Sequence, residues 1–222
     1  MRMTRMSTLG KRFAAPEITP ASLLQAEEWQ REQERQQARQ LWRDHLRDSG
    51  IPKRYQRASL KACPPEVRQY VEGFTGDTTK WLVLCGDCGT GKTTAACAAA
   101  IQIARICTVR FVVSPDFVAT ASDFKTSREA DAYRTCRLLV LDDVGKERGT
   151  ETATSAVYSL LNARYNACKP TIITTNLNAR RLSEHFAREF GKEMAHALVS
   201  RSSEDSVLVE MNGADWRLQK PR

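Results

Sequence analysis

The run Gly86-Asp87-Cys88-Gly89-Thr90-Gly91-Lys92-Thr93 limits how this chain can fold more than any other segment does. It fits the pattern G-x-x-x-x-G-K-[ST], in which glycines let successive backbone N–H groups turn toward a phosphate. The arrangement works only if the loop leaves a strand and opens a helix, because the helix N-terminus adds partial positive charge. Both flanks comply: Trp81–Cys85 is apolar and strand-like, and Lys92 to about Ile106 is an Ala-rich helical stretch. In this reading Lys92 reaches the β- and γ-phosphates and Thr93 ligates Mg2+. Gly86, Asp87, Cys88, Gly89, Thr90, Gly91 and Thr94 complete the candidate nucleotide-binding set. The plainer alternative is an ordinary glycine-rich turn, and the flanking strand and helix count against it.

From residue 63 onward the pattern is that of an α/β protein. Five short apolar or β-branched runs, Trp81–Cys85, Val109–Val113, Leu138–Asp142, Thr171–Thr175 and Ser206–Met211, are separated by helix-length segments. That alternation predicts a mostly parallel five-stranded sheet with helical crossovers. In Leu138-Leu-Val-Leu-Asp142-Asp143, four apolar residues run into two acids, which places Asp142 at the carboxyl end of a buried strand, where ligands sit in such sheets. Asp142 is the candidate Mg2+ holder and Asp143 the candidate base or water-orienting group. A strand end capped by solvated acids is the alternative. Thr171-Ile-Ile-Thr-Thr175-Asn176 ends in polar residues on the same side, so Asn176 is a candidate for orienting a lytic water; a turn asparagine is the ordinary role. Arg201 and Arg217 are late arginines, and one lent to a neighbour's γ-phosphate accelerates hydrolysis, which requires an oligomer. A surface salt bridge is the default role for either.

Ahead of this core, residues 21–49 read as one helix about 42 Å long, capped by Ser22 and stopped by Gly50-Ile51-Pro52. Arg31, Arg35, Arg39, Arg43 and Arg47 recur every four positions as a winding basic stripe. Two readings stay open: a solvated face balanced by Glu27, Glu28, Glu32 and Glu34, or an arm that docks on a partner. Trp29 and Trp42, read as exposed, favour a protein partner. Residues 51–61 carry four positive charges, no acid and Tyr55, and read as a linker with a basic patch. The net charge of +8, from 34 Lys+Arg and 26 Asp+Glu, favours polyanionic partners without specifying a fold. No apolar stretch approaches the ~18–20 residues of a bilayer span. Residues 1–20 carry no apolar signal core, and the seven scattered cysteines read as reduced thiols of a cytoplasmic protein. Cys85 and Cys88 form one C-x-x-C with no second pair to complete a metal site.

Taken together, the loop, the Leu138–Asp143 run, the Thr171–Asn176 run and the two trailing arginines resemble an AAA+ ATPase. More narrowly, the chain is similar to the DnaC-type helicase loaders and their IstB-like relatives. Gly50-Ile-Pro-Lys-Arg-Tyr55 resembles that family's entry to the ATPase domain, and Asn162-Ala-Arg164-Tyr165 before Lys169-Pro170-Thr171 matches a second family run. The resemblance covers about residues 50–217, and more loosely the arm. It implies a P-loop AAA+ core over residues 51–222 with no C-terminal lid, preceded by a basic tail and partner-binding arm over residues 1–50. It implies Arg201 as the arginine finger, Arg217 as the sensor-2 arginine, Asn176 at the sensor-1 position and Arg164 near a subunit junction. ATP and Mg2+ are the implied cofactors. The implied partners are a replicative helicase held by the arm, single-stranded DNA and further copies of the chain, with no membrane. The alternatives are an IstB-like ATPase accessory to a DNA transposase, and an ATP-gated adaptor with negligible turnover. The last is raised by Asp143, which stands where many AAA+ proteins have the longer Glu.

Overall fold

The computed structural model describes residues 20–123, 127–146, 151–178, 180–182, 184 and 206–213. Chain contacts divide it into two units, Met1–Ala38 and Arg39–Arg222. Helix α1 runs over Pro20–Asp48. It begins at a proline, which suits a first helical turn whose N–H groups have no partner, so Ser22 lies inside the helix and not at its cap. Within the first unit the helix is held by local pairs along its surface, Gln30 to Glu34 at 3.0 Å and Arg31 to Glu27 at 3.5 Å among them. Leu23, Leu24 and Trp29 are exposed there.

In the second unit the last turns of α1 behave differently. Trp42 and Leu46 pack on the core, and the Trp42 indole N–H donates to the Ile101 carbonyl at 3.0 Å. The Arg105 guanidinium stacks 4.4 Å from the Trp42 ring. Trp42 is therefore a packing residue, contrary to the expectation that it is exposed: an indole with one polar edge finds its partner at the end of a neighbouring helix. Gly50 follows at φ +75°, the left-handed conformation that ends a helix at low cost only for glycine. Phe111 N–H then donates to the Ser49 carbonyl at 2.7 Å, tying this turn to the sheet.

Residues 51–61 are not a free linker. They form two 3-10 turns, Lys53–Tyr55 and Leu60–Ala62. Ile51 is buried, and Tyr55 and Leu60 pack against the core. The four cations, Lys53, Arg54, Arg57 and Lys61, stay exposed, and Arg54 sits 4.6 Å over the Tyr55 ring. Apolar residues at positions 51, 55 and 60 carry the packing, and the intervening charges hide it from a reading by composition.

Helix α2 (Pro65–Glu72) leads to strand β1 (Trp81–Cys85), helix α3 (Lys92–Ile103), β2 (Val109–Val113), α4 (Ser114–Ser122), α5 (Ser127–Thr135), β3 (Leu138–Val144), α6 (Glu151–Asn166), β4 (Thr171–Thr175) and β5 (Ser206–Glu210). Among the described residues the strands form one five-stranded sheet in the order β2-β3-β4-β1-β5, with every neighbouring pair parallel. Alternate residues of each strand feed two apolar layers, as a two-residue repeat requires. Leu82, Leu84, Leu138, Val140 and Ile172 face α2 and α3. Val83, Leu139, Leu141 and Ile173 face Phe117, Tyr133, Val157 and Leu161 on α4, α5 and α6. Each fully buried leucine of this kind contributes about 1.5–3 kcal/mol. The alanines of α3 from Ala95 to Ala100 are buried, their small side chains letting the helix lie close on the sheet. Among the described residues, no helix is long and apolar enough to cross a membrane.

Candidate functional site

Strand β1 delivers the chain to Gly86, where the carboxyl end of the sheet and the loop meet. Gly86 has φ +130°, and a Cβ built there would stand 2.3 Å from the Met211 carbonyl oxygen. The approach is close because Met211 N–H donates to the Cys85 carbonyl at 2.7 Å, drawing the segment after β5 against the loop. Gly86→Ala is expected to cost about 2 kcal/mol or more from a strained backbone and an immovable neighbour; urea denaturation measures it, and a loss under about 0.5 kcal/mol would contradict this account of the loop.

Gly89 and Gly91 also have positive φ, and Gly91 stands at the N-cap of α3. Inside the turn, Lys92 is buried, with its ammonium donating to the carbonyls of Gly86 at 2.8 Å and Asp87 at 2.5 Å. Thr90 hydroxyl donates to the Asp87 carbonyl at 2.9 Å. Burial pulls the Lys92 ammonium below the usual lysine range. A buried cation whose hydrogen bonds go to neutral carbonyls is one that an incoming anion would stabilise. Asp87, Cys88 and Thr94 are on the exposed side of the loop and first helical turn.

The first turn of α3 meets the end of β3. Thr93 hydroxyl donates to Asp142 Oδ1 at 2.9 Å, and Thr174 hydroxyl, from β4, donates to the same oxygen at 2.5 Å. Asp142 is 4% exposed. Burial pushes its carboxyl above the usual carboxylate range, while the two hydroxyls work against that rise. A carboxylate and a hydroxyl in contact form an all-oxygen donor set of the kind a hard cation such as Mg2+ takes. Thr93 and Asp142 would hold that ion, next to the phosphate turn it would serve.

The raised carboxyl has a consequence for stability. Keeping Asp142 ionised inside the fold carries a cost that is absent below the ordinary carboxylate range and complete once pH exceeds the raised folded value. Asp142→Asn, which retains an oxygen acceptor for both threonines, is expected to raise the neutral-pH unfolding midpoint of the ligand-free chain. It should weaken Mg2+-dependent nucleotide binding at least about tenfold. Melting curves and binding titrations on one preparation test both halves.

Asp143 follows with φ +58°, left-handed backbone that is uncommon outside glycine but that aspartate, like asparagine, adopts more readily than most residues. Its N–H donates to Thr174 Oγ1 at 2.9 Å, and its carboxylate pairs with Lys146 at 2.8 Å. Asn176 lies at the bend just after β4, half-buried at the same carboxyl end of the sheet. Thus Lys92, Thr93, Asp142, Asp143 and Asn176 come from three parallel strand ends. Arg201 and Arg217 lie outside the described residues.

One residue, Thr174, joins the site without having been singled out from the sequence. Thr174 binds both acids; a threonine at the buried end of an apolar strand was the available signal. Arg164, by contrast, is fully buried, where the resemblance implied a position near a subunit junction. Its guanidinium donates to the carbonyls of Tyr133, Cys136, Arg137 and Pro170 and to Thr171 Oγ1. Six or more acceptors converge there from the end of α5 and the starts of β3 and β4, so the side chain is internal and structural.

Among the described residues no cluster of three or more His, Cys, Asp or Glu could hold a metal ion, and all seven cysteines are free. Cys85 is buried and Cys88 exposed.

The family model described as IstB-like ATP binding protein matches residues 20–222. The phage-like element PBSX protein XkdC of Bacillus subtilis (strain 168) is 29% identical over 149 residues, spanning 63% of this chain and 55% of that protein. The crystal structure of the DnaC helicase loader matches at TM-score 0.61 and 26% identity, over 72% of this chain and 100% of that one. The crystal structure of DnaI matches at TM-score 0.63 and 23% identity, over 75% and 94%. The five-stranded sheet with its flanking helices is that of a P-loop AAA+-like protein.

Proposed function

The chain belongs to the IstB-like ATP-binding family, and from that premise we propose that it is a Mg2+- and ATP-dependent AAA+ ATPase that loads a replicative helicase onto single-stranded DNA. The observation that carries the proposal is the meeting of three elements at one end of the sheet. These are a buried Lys92 in the phosphate turn, the Thr93–Asp142 pair beside it, and Asp143 with Asn176 at the adjoining strand ends. In this reading the loop N–H groups and Lys92 bind the triphosphate, and Thr93 with Asp142 holds Mg2+, which neutralises charge on the phosphates. Asp143 and Asn176 orient the attacking water, and Asp143 accepts its proton. Arg217 serves the nucleotide of its own subunit, and Arg201 reaches the γ-phosphate of the next, so hydrolysis belongs to an oligomer. The arm, residues 1–50, holds the helicase, and basic residues of the ATPase domain, residues 51–222, track DNA phosphates.

What supports the helicase partner is the likeness to the DnaC helicase loader over the full length of that structure. The family description favours a second reading, an IstB-like ATPase that assists a DNA transposase. The two differ in nucleic acid and in partner. Full-length chain with ATP is expected to retain a replicative helicase, to deposit it on single-stranded DNA and to prefer single strands over duplex. Retention of a transposase with preference for duplex would replace the first reading by the second. Steady-state hydrolysis with and without single-stranded DNA separates both from an adaptor that binds ATP and barely turns it over. The shorter Asp143 bears on that rate and not on nucleotide binding.

A further inference from the structure

Strands β3 and β4 pair in register from Leu139↔Thr171 to Leu141↔Ile173, and pairing resumes at Val144↔Thr175. Two residues, Asp142 and Asp143, therefore stand opposite one, Thr174. This is a bulge in a parallel ladder, where bulges are rare, and bulges characteristically re-aim side chains beside active sites. The burial pattern shows what it does. Leu139 and Leu141 face one apolar layer, and strict alternation would send residue 143 there too; instead Val144 takes that place, and Asp143 is released from it. The bulge thus lets two consecutive acids serve the same strand end without Asp143 entering that apolar layer.

A bulge leaves the ladder locally unpaired and bends the strand. Here Thr174 supplies the missing connections with its side chain. Its hydroxyl donates to Asp142 Oδ1 at 2.5 Å, and its oxygen accepts the Asp143 N–H at 2.9 Å. Thr174 is fully buried, so water cannot replace either bond. Among the described residues both donors to Asp142 go to Oδ1, from Thr93 and Thr174, and Oδ2 takes none. The carboxylate is thereby held with one oxygen anchored to the protein.

We propose that Thr174 is a positioning residue: its single hydroxyl locks the β3 bulge and fixes the orientation of Asp142 and the left-handed backbone of Asp143 together. This rests on the reading of Thr93 and Asp142 as the Mg2+-holding pair. When Thr93 turns its oxygen to the ion, Thr174 is the donor that keeps Asp142 aimed. Because Thr174 lies two residues before Asn176 on β4, a shift of that strand end moves the orientation of both acids with it.

The test uses Thr174→Val, which keeps the branched shape and removes the hydroxyl, and Thr174→Ser, which keeps the hydroxyl. Mg2+ is titrated into each full-length chain carrying a non-hydrolysable ATP analogue, and the analogue's affinity is measured separately in EDTA. Thr174→Val is expected to weaken the Mg2+ response about 10–100-fold, the usual effect of losing a group that orients a metal ligand. Its affinity for the analogue in EDTA should stay within about twofold, because the phosphate turn is untouched, and Thr174→Ser should restore the Mg2+ response. If Thr174→Val does not fold, Thr174→Cys, whose thiol is a weak donor, is read against the same threshold. An unchanged Mg2+ response, or an equal loss with and without Mg2+, would overturn the positioning role. A wild-type chain that binds the analogue with no Mg2+ response would instead overturn the underlying reading of Thr93 and Asp142, and the wild-type titration alone tells the two failures apart.

Discussion

Arg164→Ala is expected to lower the unfolding free energy by about 3–5 kcal/mol, the scale of breaking a buried charged network. Arg164 has no exposed surface. Its Nε donates to Thr171 Oγ1 at 2.9 Å, Nη1 to the carbonyls of Tyr133 at 2.9 Å and Cys136 at 3.0 Å, and Nη2 to those of Arg137 at 3.1 Å and Pro170 at 2.7 Å. The Tyr133 carbonyl, and that of Arg134 at 3.3 Å from Nη1, belong to the end of α5, whose unpaired carbonyls and dipole favour a cation. Burial without a carboxylate partner pulls the guanidinium below its ordinary range, a real cost that the bonds offset. Alanine removes that cost but strands several buried carbonyls, each worth about 1–3 kcal/mol unpaired, and leaves a cavity. The second effect wins because there are several acceptors and one charge. Arg164→Lys is expected to recover less than half the loss, since an ammonium cannot span the fork of acceptors. Urea denaturation at an unchanged slope measures both variants. A loss below about 1 kcal/mol would show that the network is replaceable.

Lys92→Ala is expected to weaken ATP binding by at least about 100-fold, with little change in the stability of the free chain. Charge-assisted hydrogen bonds contribute about 1.5–3 kcal/mol each, and losing two of them to the triphosphate corresponds to a 100-fold change or more. In the free chain the same ammonium bonds only to the carbonyls of Gly86 and Asp87, in a loop whose neighbours Asp87 and Cys88 are exposed. Solvent can take over those acceptors, so the unfolding midpoint should move by no more than about 1 kcal/mol. Displacement of a fluorescent ATP analogue reads the affinity. A stable variant that keeps wild-type affinity would remove Lys92 from the phosphate site.

The strands were legible because each is a short apolar run set off by polar turns. Four of the five expected spans start and end within a residue of the observed strands, and the fifth, β3, runs two residues further to Val144. That extension is where reading by alternation stops working. A bulge depends on which residues of β4 face β3, and Thr174 looks in the sequence like any threonine at a strand end. The phosphate turn was legible because its glycines answer a local backbone requirement, seen at Gly86, Gly89 and Gly91. Trp42 and Tyr55 were misjudged for a shared reason. Each sits among charged residues that are exposed, and only the distant partners, Ile101 for Trp42 and the apolar core for Tyr55, bury part of the ring. Arg164 belongs with them: most of its acceptors are backbone carbonyls, up to 31 positions away, which leave no mark in the side-chain sequence.

The central claim is that a triphosphate with Mg2+ sits between the Gly86–Thr93 turn and Asp142. Calorimetric titration of the wild-type chain with ATP, in Mg2+ and again in EDTA, tests it most directly. Saturable binding at one site per chain, tightened by Mg2+ in the wild type and not in Asp142→Asn, is the predicted result. A folded wild-type chain that gives no saturable heat with ATP in either buffer would contradict it.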